Sequence, residues 1–248
     1  MNLFKIFQDI EAVDGDATER LAYYSRRSLL SLGTKAMAVS APVVMASVLN
    51  EAYGQTSSVA DVLNFALTLE YLEDDYYLRG NAAPNLIPAA DKAIFTQIGK
   101  HETAHVALLR GALGAAAVAK PNFKYAANTF TDYQTFLLLA QAFEDTGVRA
   151  YKGQAGNLLG MDVLTTALQI HSVEARHASE VRRLRGLKGW VSAGDEMPAA
   201  VYAGEALTAQ AGVDLVGLTK LSADRVREAF DEPLTRAAVL AIAGPYLA

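Results

Sequence analysis

The chain has 248 residues, 52% of them hydrophobic and 20% charged, the profile of a globular protein with a sizeable core rather than of a disordered segment. With 22 basic against 27 acidic residues, the net charge of -5 supplies no basic footprint for nucleic acid. The absence of cysteine excludes disulfides, iron-sulfur clusters and thiolate zinc sites, so any metal must be held by oxygen and nitrogen.

Residues 1–55 read as a twin-arginine export signal or an N-terminal extension. Ser25-Arg26-Arg27-Ser28-Leu29-Leu30 places paired arginines before a modest apolar run from Leu29 to Leu49, an order that resembles a twin-arginine signal. Lys35 and Pro42 interrupt the run and no clean Ala-x-Ala site precedes Gln55, so an amphipathic helix on the bundle or on a membrane surface is the alternative. The expected location is therefore periplasmic or extracellular, with the cytoplasm as the other choice. The run is too broken for a stable transmembrane span, and nothing later approaches about 18 uninterrupted apolar residues.

Residues 56–188 are expected to form an all-α four-helix bundle. From Val59 to Leu78 the apolar residues Val62, Phe65, Ala66, Leu69 and Leu72 recur at helical spacing. Asn81 to Pro88 is a connection, and a second helix runs from about Ala90 to Leu113. The stretch from Lys120 to Tyr133, with Pro121 and several Asn and Thr residues, has the length of a long crossover between the two halves of a bundle. A third helix spans roughly Asp132 to Gln154 and a fourth Asp162 to Leu187, with Gly153, Gly156 and Gly160 read as the connection between them. Residues 189–248 form a tail with short helices from Ser222 to Phe230 and after Pro233, packing on the bundle or making a subunit contact.

Two copies of Glu-x-x-His, Glu102/His105 and Glu174/His177, lie within the second and fourth helices, and the first and third each carry an apolar-flanked glutamate, Glu70 and Glu144. Residues three apart share a helix face, so each Glu-x-x-His pair can approach one metal ion together. One terminal carboxylate from each remaining helix and two bridging glutamates complete the ligand set of a two-metal site in a four-helix bundle. The chain looks duplicated, since Glu70 and Glu144 are each followed seven residues later by tyrosine, Tyr77 and Tyr151. Without cations, four carboxylates in an apolar core would repel one another and take up protons. An oxygen-rich set with one imidazole per ion favours iron or manganese and opens redox chemistry with dioxygen or peroxide.

Tyr77 and Tyr151 are read either as donors to ligand carboxylates or as ordinary core residues. His101 and His171 are expected to be solvated or locally satisfied rather than ligands, and Glu73 to be an exposed charge. Arg182, Arg183 and Arg185 suit the helix dipole at a C-terminus and need no ligand.

Four stretches, Asn64–Glu73, His101–His105, Glu144–Val148 and Val173–His177, together with Ala229–Thr235 of the tail, resemble the ferritin-like domain family that includes desiccation-related proteins of plants and bacteria. The resemblance covers residues 59 to 245 and implies a ferritin-like bundle, a dimetal centre and, in bacterial members, frequent twin-arginine export. Shared fold does not fix the reaction. The expected function is a di-iron or di-manganese oxidoreductase acting on dioxygen or peroxide in stress protection, with manganese catalase as a variant. The alternative is a stress-related structural protein whose metal staples the bundle. Expected partners are metal ions, dioxygen or peroxide, no nucleic acid, and a second copy of the chain in a homo-oligomer.

Overall fold

The computed structural model describes residues 58–195 and 197–248. The Arg26-Arg27 pair and the apolar run behind it lie outside the described residues. Four long helices, α1 Val59–Ala82, α2 Lys92–Leu113, α3 Tyr133–Ala155 and α4 Val163–Leu184, form the bundle, close to the spans the apolar periodicity predicts. Their ends follow from local chemistry. Ser58 caps α1 and receives Asp61 in return, a capping box, and Asp132 accepts from the Thr135 N–H to start α3. Helix α4 stops three residues earlier than expected because Gly186, at φ 74°, turns the chain left-handed while the Leu187 N–H bonds the Arg182 carbonyl.

Cross-helix pairs define the arrangement. Asn64 meets Ala116 and Asn81 meets Phe95, so α1 and α2 are antiparallel; Gln141 with Arg185 and Asp145 with Arg182 give the same for α3 and α4. Helix α1 also lies against α3, and α2 against α4, which puts α2 and α3 in parallel and requires the long crossover at residues 117–132. Tyr76, Tyr77, Phe95, Phe136 and Phe143 fill one end of the core, stacked or edge to face. Leucine, valine and alanine from all four helices fill the other end. Among the described residues no helix is long and apolar enough to cross a membrane.

The tail adds three short helices, α5 Leu215–Thr219, α6 Ala223–Arg227 and α7 Arg236–Ala243, and a small hairpin of β1 Ala209–Gln210 and β2 Val213–Asp214 that the sequence reading did not foresee. Ala211 and Gly212, both at positive φ, form its two-residue turn. Gly153 is not part of a connection but lies inside α3: a Cβ there would sit 2.0 Å from the Leu234 carbonyl oxygen, so the glycine lets the tail backbone rest on the helix. With the tail over its outer side, α3 is buried all round from Ala140 to Ala150. Arg182 lies in the last turn of α4, as expected, and does more there than suit the helix dipole. It is buried, bidentate to Asp145 at 2.7 and 3.2 Å, and holds Asp195 of the tail at 2.5 Å.

Candidate metal centre

The bundle brings Glu70 from α1, Glu102 and His105 from α2, Glu144 from α3, and Glu174 and His177 from α4 to a common interior region. The four glutamates are fully buried and the imidazoles nearly so. Their donor atoms fall into two groups, each with all atoms within 4.8 Å of one another: Glu70, Glu102, His105 and Glu174, and Glu102, Glu144, Glu174 and His177. Glu102 and Glu174 belong to both groups, while Glu70 with His105 and Glu144 with His177 each belong to one.

Distances follow the same division. His105 Nδ1 lies 3.1 Å from Glu70 Oε2, 3.1 Å from Glu102 Oε2 and 3.2 Å from Glu174 Oε1. One ring nitrogen carries at most one hydrogen, so three oxygens at this range cannot all be satisfied by it. His177 Nδ1 lies 2.9 Å from Glu102 Oε1 and 3.2 Å from Glu144 Oε2 yet is aligned for a hydrogen bond to neither. Glu102 Oε1, Glu144 Oε2 and both oxygens of Glu174 are also buried without a hydrogen-bond partner. Buried acceptors left unpaired are costly, and a cation at each focus would satisfy all of them. The donor chemistry and the unpaired atoms therefore fit a pair of metal ions.

Electrostatics show the strain of the metal-free cluster. Burial pushes the Glu70 carboxyl up to about 7, and burial with the charges of Glu70 and Glu144 pushes Glu174 up to about 8. Burial also raises Glu144. Burial by itself lowers the imidazoles, but the carboxylates of Glu102, Glu174 and Glu70 around it carry His105 up to about 12, and those of Glu144 and Glu102 carry His177 up to about 11. Each of these shifts favours the protonated form of its group.

Surrounding residues fix the ligands. The Tyr151 hydroxyl donates to Glu70 Oε1 at 2.5 Å, and the Tyr77 hydroxyl donates to Glu144 Oε1, so each hairpin orients the other's terminal carboxylate. Burial raises both phenols, which keeps them protonated as donors. His101, expected to be solvated or locally satisfied, lies 2.7 Å from Gln97 one turn back and outside both groups; its Nδ1 also meets His177 Nε2 at 2.8 Å and its ring stacks on that imidazole. His171 stays outside both groups. Glu73, expected as an exposed charge, is 3% exposed and well raised in pKa by burial and by Glu174. The acidic run Glu73-Asp74-Asp75 hid it; its place one turn beyond Glu70, toward the bundle interior, was the available signal.

No curated protein matches the chain. The sequence model of the ferritin-like domain matches residues 58–187, which include all four bundle helices and all six converging side chains. By that match over more than half its length, on a bundle built in this way, the chain belongs to the ferritin-like domain family.

Proposed function

We propose that the protein is a dimetal carboxylate oxidoreductase, loaded with iron or manganese, that acts on dioxygen or peroxide in stress protection. The observation that carries this reading is the pair of ligand groups sharing Glu102 and Glu174 in a fully buried, oxygen-rich core. Four carboxylates and two imidazoles, one imidazole to each group, suit iron or manganese better than zinc or copper. When bound, such ions supply one-electron redox steps and open coordination positions for the oxidant. The chain's own residues do the rest. Glu102 and Glu174 hold the two positions together, Tyr151 and Tyr77 aim Glu70 and Glu144, and His101 steadies the His177 ring. Leu69, Leu109 and Ile170, all buried, stand on the same helices next to or one turn from ligands and add apolar core there.

Burial of every ligand also favours a second reading, in which the metal only staples the helices. Chelator-stripped protein, reloaded without oxygen with iron(II) or manganese(II) and then mixed with dioxygen or peroxide in an oxygen electrode, separates the two. Metal-dependent turnover lost in Glu102→Ala/Glu174→Ala is the expected result. Oxygen evolution from peroxide by the manganese form would select a catalase, and oxygen uptake by the iron form a ferroxidase. Full metal content without turnover would replace the oxidoreductase by the staple. The same proposal takes residues 1–55 as an export segment, supported by Arg26-Arg27, and 189–248 as a tail belonging to the bundle. N-terminal sequencing of protein recovered from the periplasm tests the first, and an unprocessed, cytoplasmic product would refute it.

A further inference from the structure

The duplication pairs Glu70 with Glu144 and Tyr77 with Tyr151, but it breaks one turn beyond each terminal glutamate: α1 carries Glu73 where α3 carries Gly147. The glycine makes room for the acid. A Cβ at Gly147 would lie 3.2 Å from Glu73 Oε1 and 3.1 Å from Glu174 Oε2, so both carboxylates reach the same patch of α3 backbone. Glu73 is 3% exposed and lies outside both donor groups, its charged neighbours being the carboxylates of Glu174, Glu144, Glu70 and Glu102, and among the described residues no donor or basic side chain pairs with it. Its neighbours differ: Asp74 is held by Lys120 and Thr103, and Asp75 by Arg79 and Tyr125. A narrow crevice of about 10 Å³, walled by Leu72, Phe143, Thr146 and Ile242, reaches Glu73 but has room for no more than about one water. An ionised carboxylate in that position is costly unless a cation joins it; otherwise the group takes up a proton.

We propose that Glu73 is a fifth carboxylate of the metal centre, entering across Gly147 beside Glu174 and making the two metal positions unequal in affinity. The proposal rests on the dimetal reading above. Glu70, Glu102, Glu144 and Glu174 match two divalent ions in charge, and the pseudo-twofold would make the positions alike. A single extra carboxylate, entering from one side, strengthens the attraction at one position more than at the other, so that position fills first.

Titration of chelator-stripped protein with manganese(II), with the free ion followed by its EPR signal, tests this. Wild type is expected to take up two ions per chain in two separated steps. Glu73→Gln keeps the shape and removes the charge, and it should weaken one step by about 10- to 100-fold. Gly147→Ala, which presses a methyl group against both oxygens, should weaken the same step while far-UV circular dichroism shows the helices intact. Thermal melts in chelator separate this from a folding role, because Glu73→Gln should melt no lower than wild type. Superimposable isotherms for wild type and Glu73→Gln, or a single unresolved step in wild type, would overturn the proposal and leave the dimetal reading standing. A wild type that takes up no metal would overturn both.

Discussion

Glu144 and Asp145 are consecutive on α3, both buried, and they face two kinds of charge cluster. Asp145 looks toward α4 and the tail, where Arg182 grips it in a fork and the Tyr202 hydroxyl adds a bond at 2.7 Å. Arg149 completes that region by donating to the Glu232, Val201 and Ala203 carbonyls and pairing with Glu205 at 3.0 Å. Nearly every polar atom there has its partner within the chain. Glu144 looks into the bundle, where oxygens converge and several atoms have none. The difference teaches that buried charge by itself says little about function; buried charge without partners is what marks a site for something else.

The largest expected effect breaks the satisfied cluster. Arg182→Ala leaves Asp145 and Asp195 without their cation and should cost about 3 to 5 kcal/mol in chemical denaturation, alike in metal-loaded and metal-free protein. An equal midpoint for variant and wild type would contradict the role of this network.

Metal removal should strike the other cluster. At free metal about 10 times the dissociation constant of each ion, chelation should cost wild type roughly 3 kcal/mol for the two ions together. Glu102→Ala/Glu174→Ala should show no difference between the two conditions, and without metal it should unfold no more easily than wild type, since it lacks two buried acids. A variant still stabilised by metal would contradict the ligand assignment.

The pH dependence should separate the loaded and metal-free states further. Glu70 and Glu174 are raised to about 7 and about 8 from 4.5, so the metal-free fold keeps protons that the unfolded chain releases, and its stability falls as pH rises through that window. His105 and His177, raised to about 12 and about 11 from 6.5, act in the same direction: their contribution is complete below 6.5 and declines above it. Metal holds the same ligands deprotonated, so the gap between loaded and metal-free melting temperatures should widen from about pH 5 to about pH 8. Parallel melting curves against pH would refute the linkage.

Smallest is the loss of one orienting hydroxyl. Tyr151→Phe should cost about 1 kcal/mol of stability and weaken metal binding by about tenfold or somewhat more, measured by competition with a chelator. Unchanged metal affinity would reduce Tyr151 to a core residue.

The six converging side chains were legible because Glu-x-x-His fixes two ligands on one helical turn and the duplication supplies the other two helices. Helix order and the crossover followed from apolar periodicity and from the length of the connection. The burial of Glu73 could not be read, since it depends on Gly147 of another helix leaving space. The His101 contact depends on α2 lying beside α4. Gly153 was misread, and the burial of Arg182 was not foreseen, because their partners are not local: Leu234 of the tail rests on Gly153 from about 80 residues away, and Arg182 is gripped by Asp145 of another helix and by Asp195 of the tail.

The central claim is that Glu70, Glu102, His105, Glu144, Glu174 and His177 hold a pair of ions, and metal content tests it most directly. Elemental analysis of protein purified without added metal should find two equivalents of iron or manganese per chain, and almost none in Glu102→Ala/Glu174→Ala. Wild type without metal, or a variant that keeps its full complement, would contradict the account.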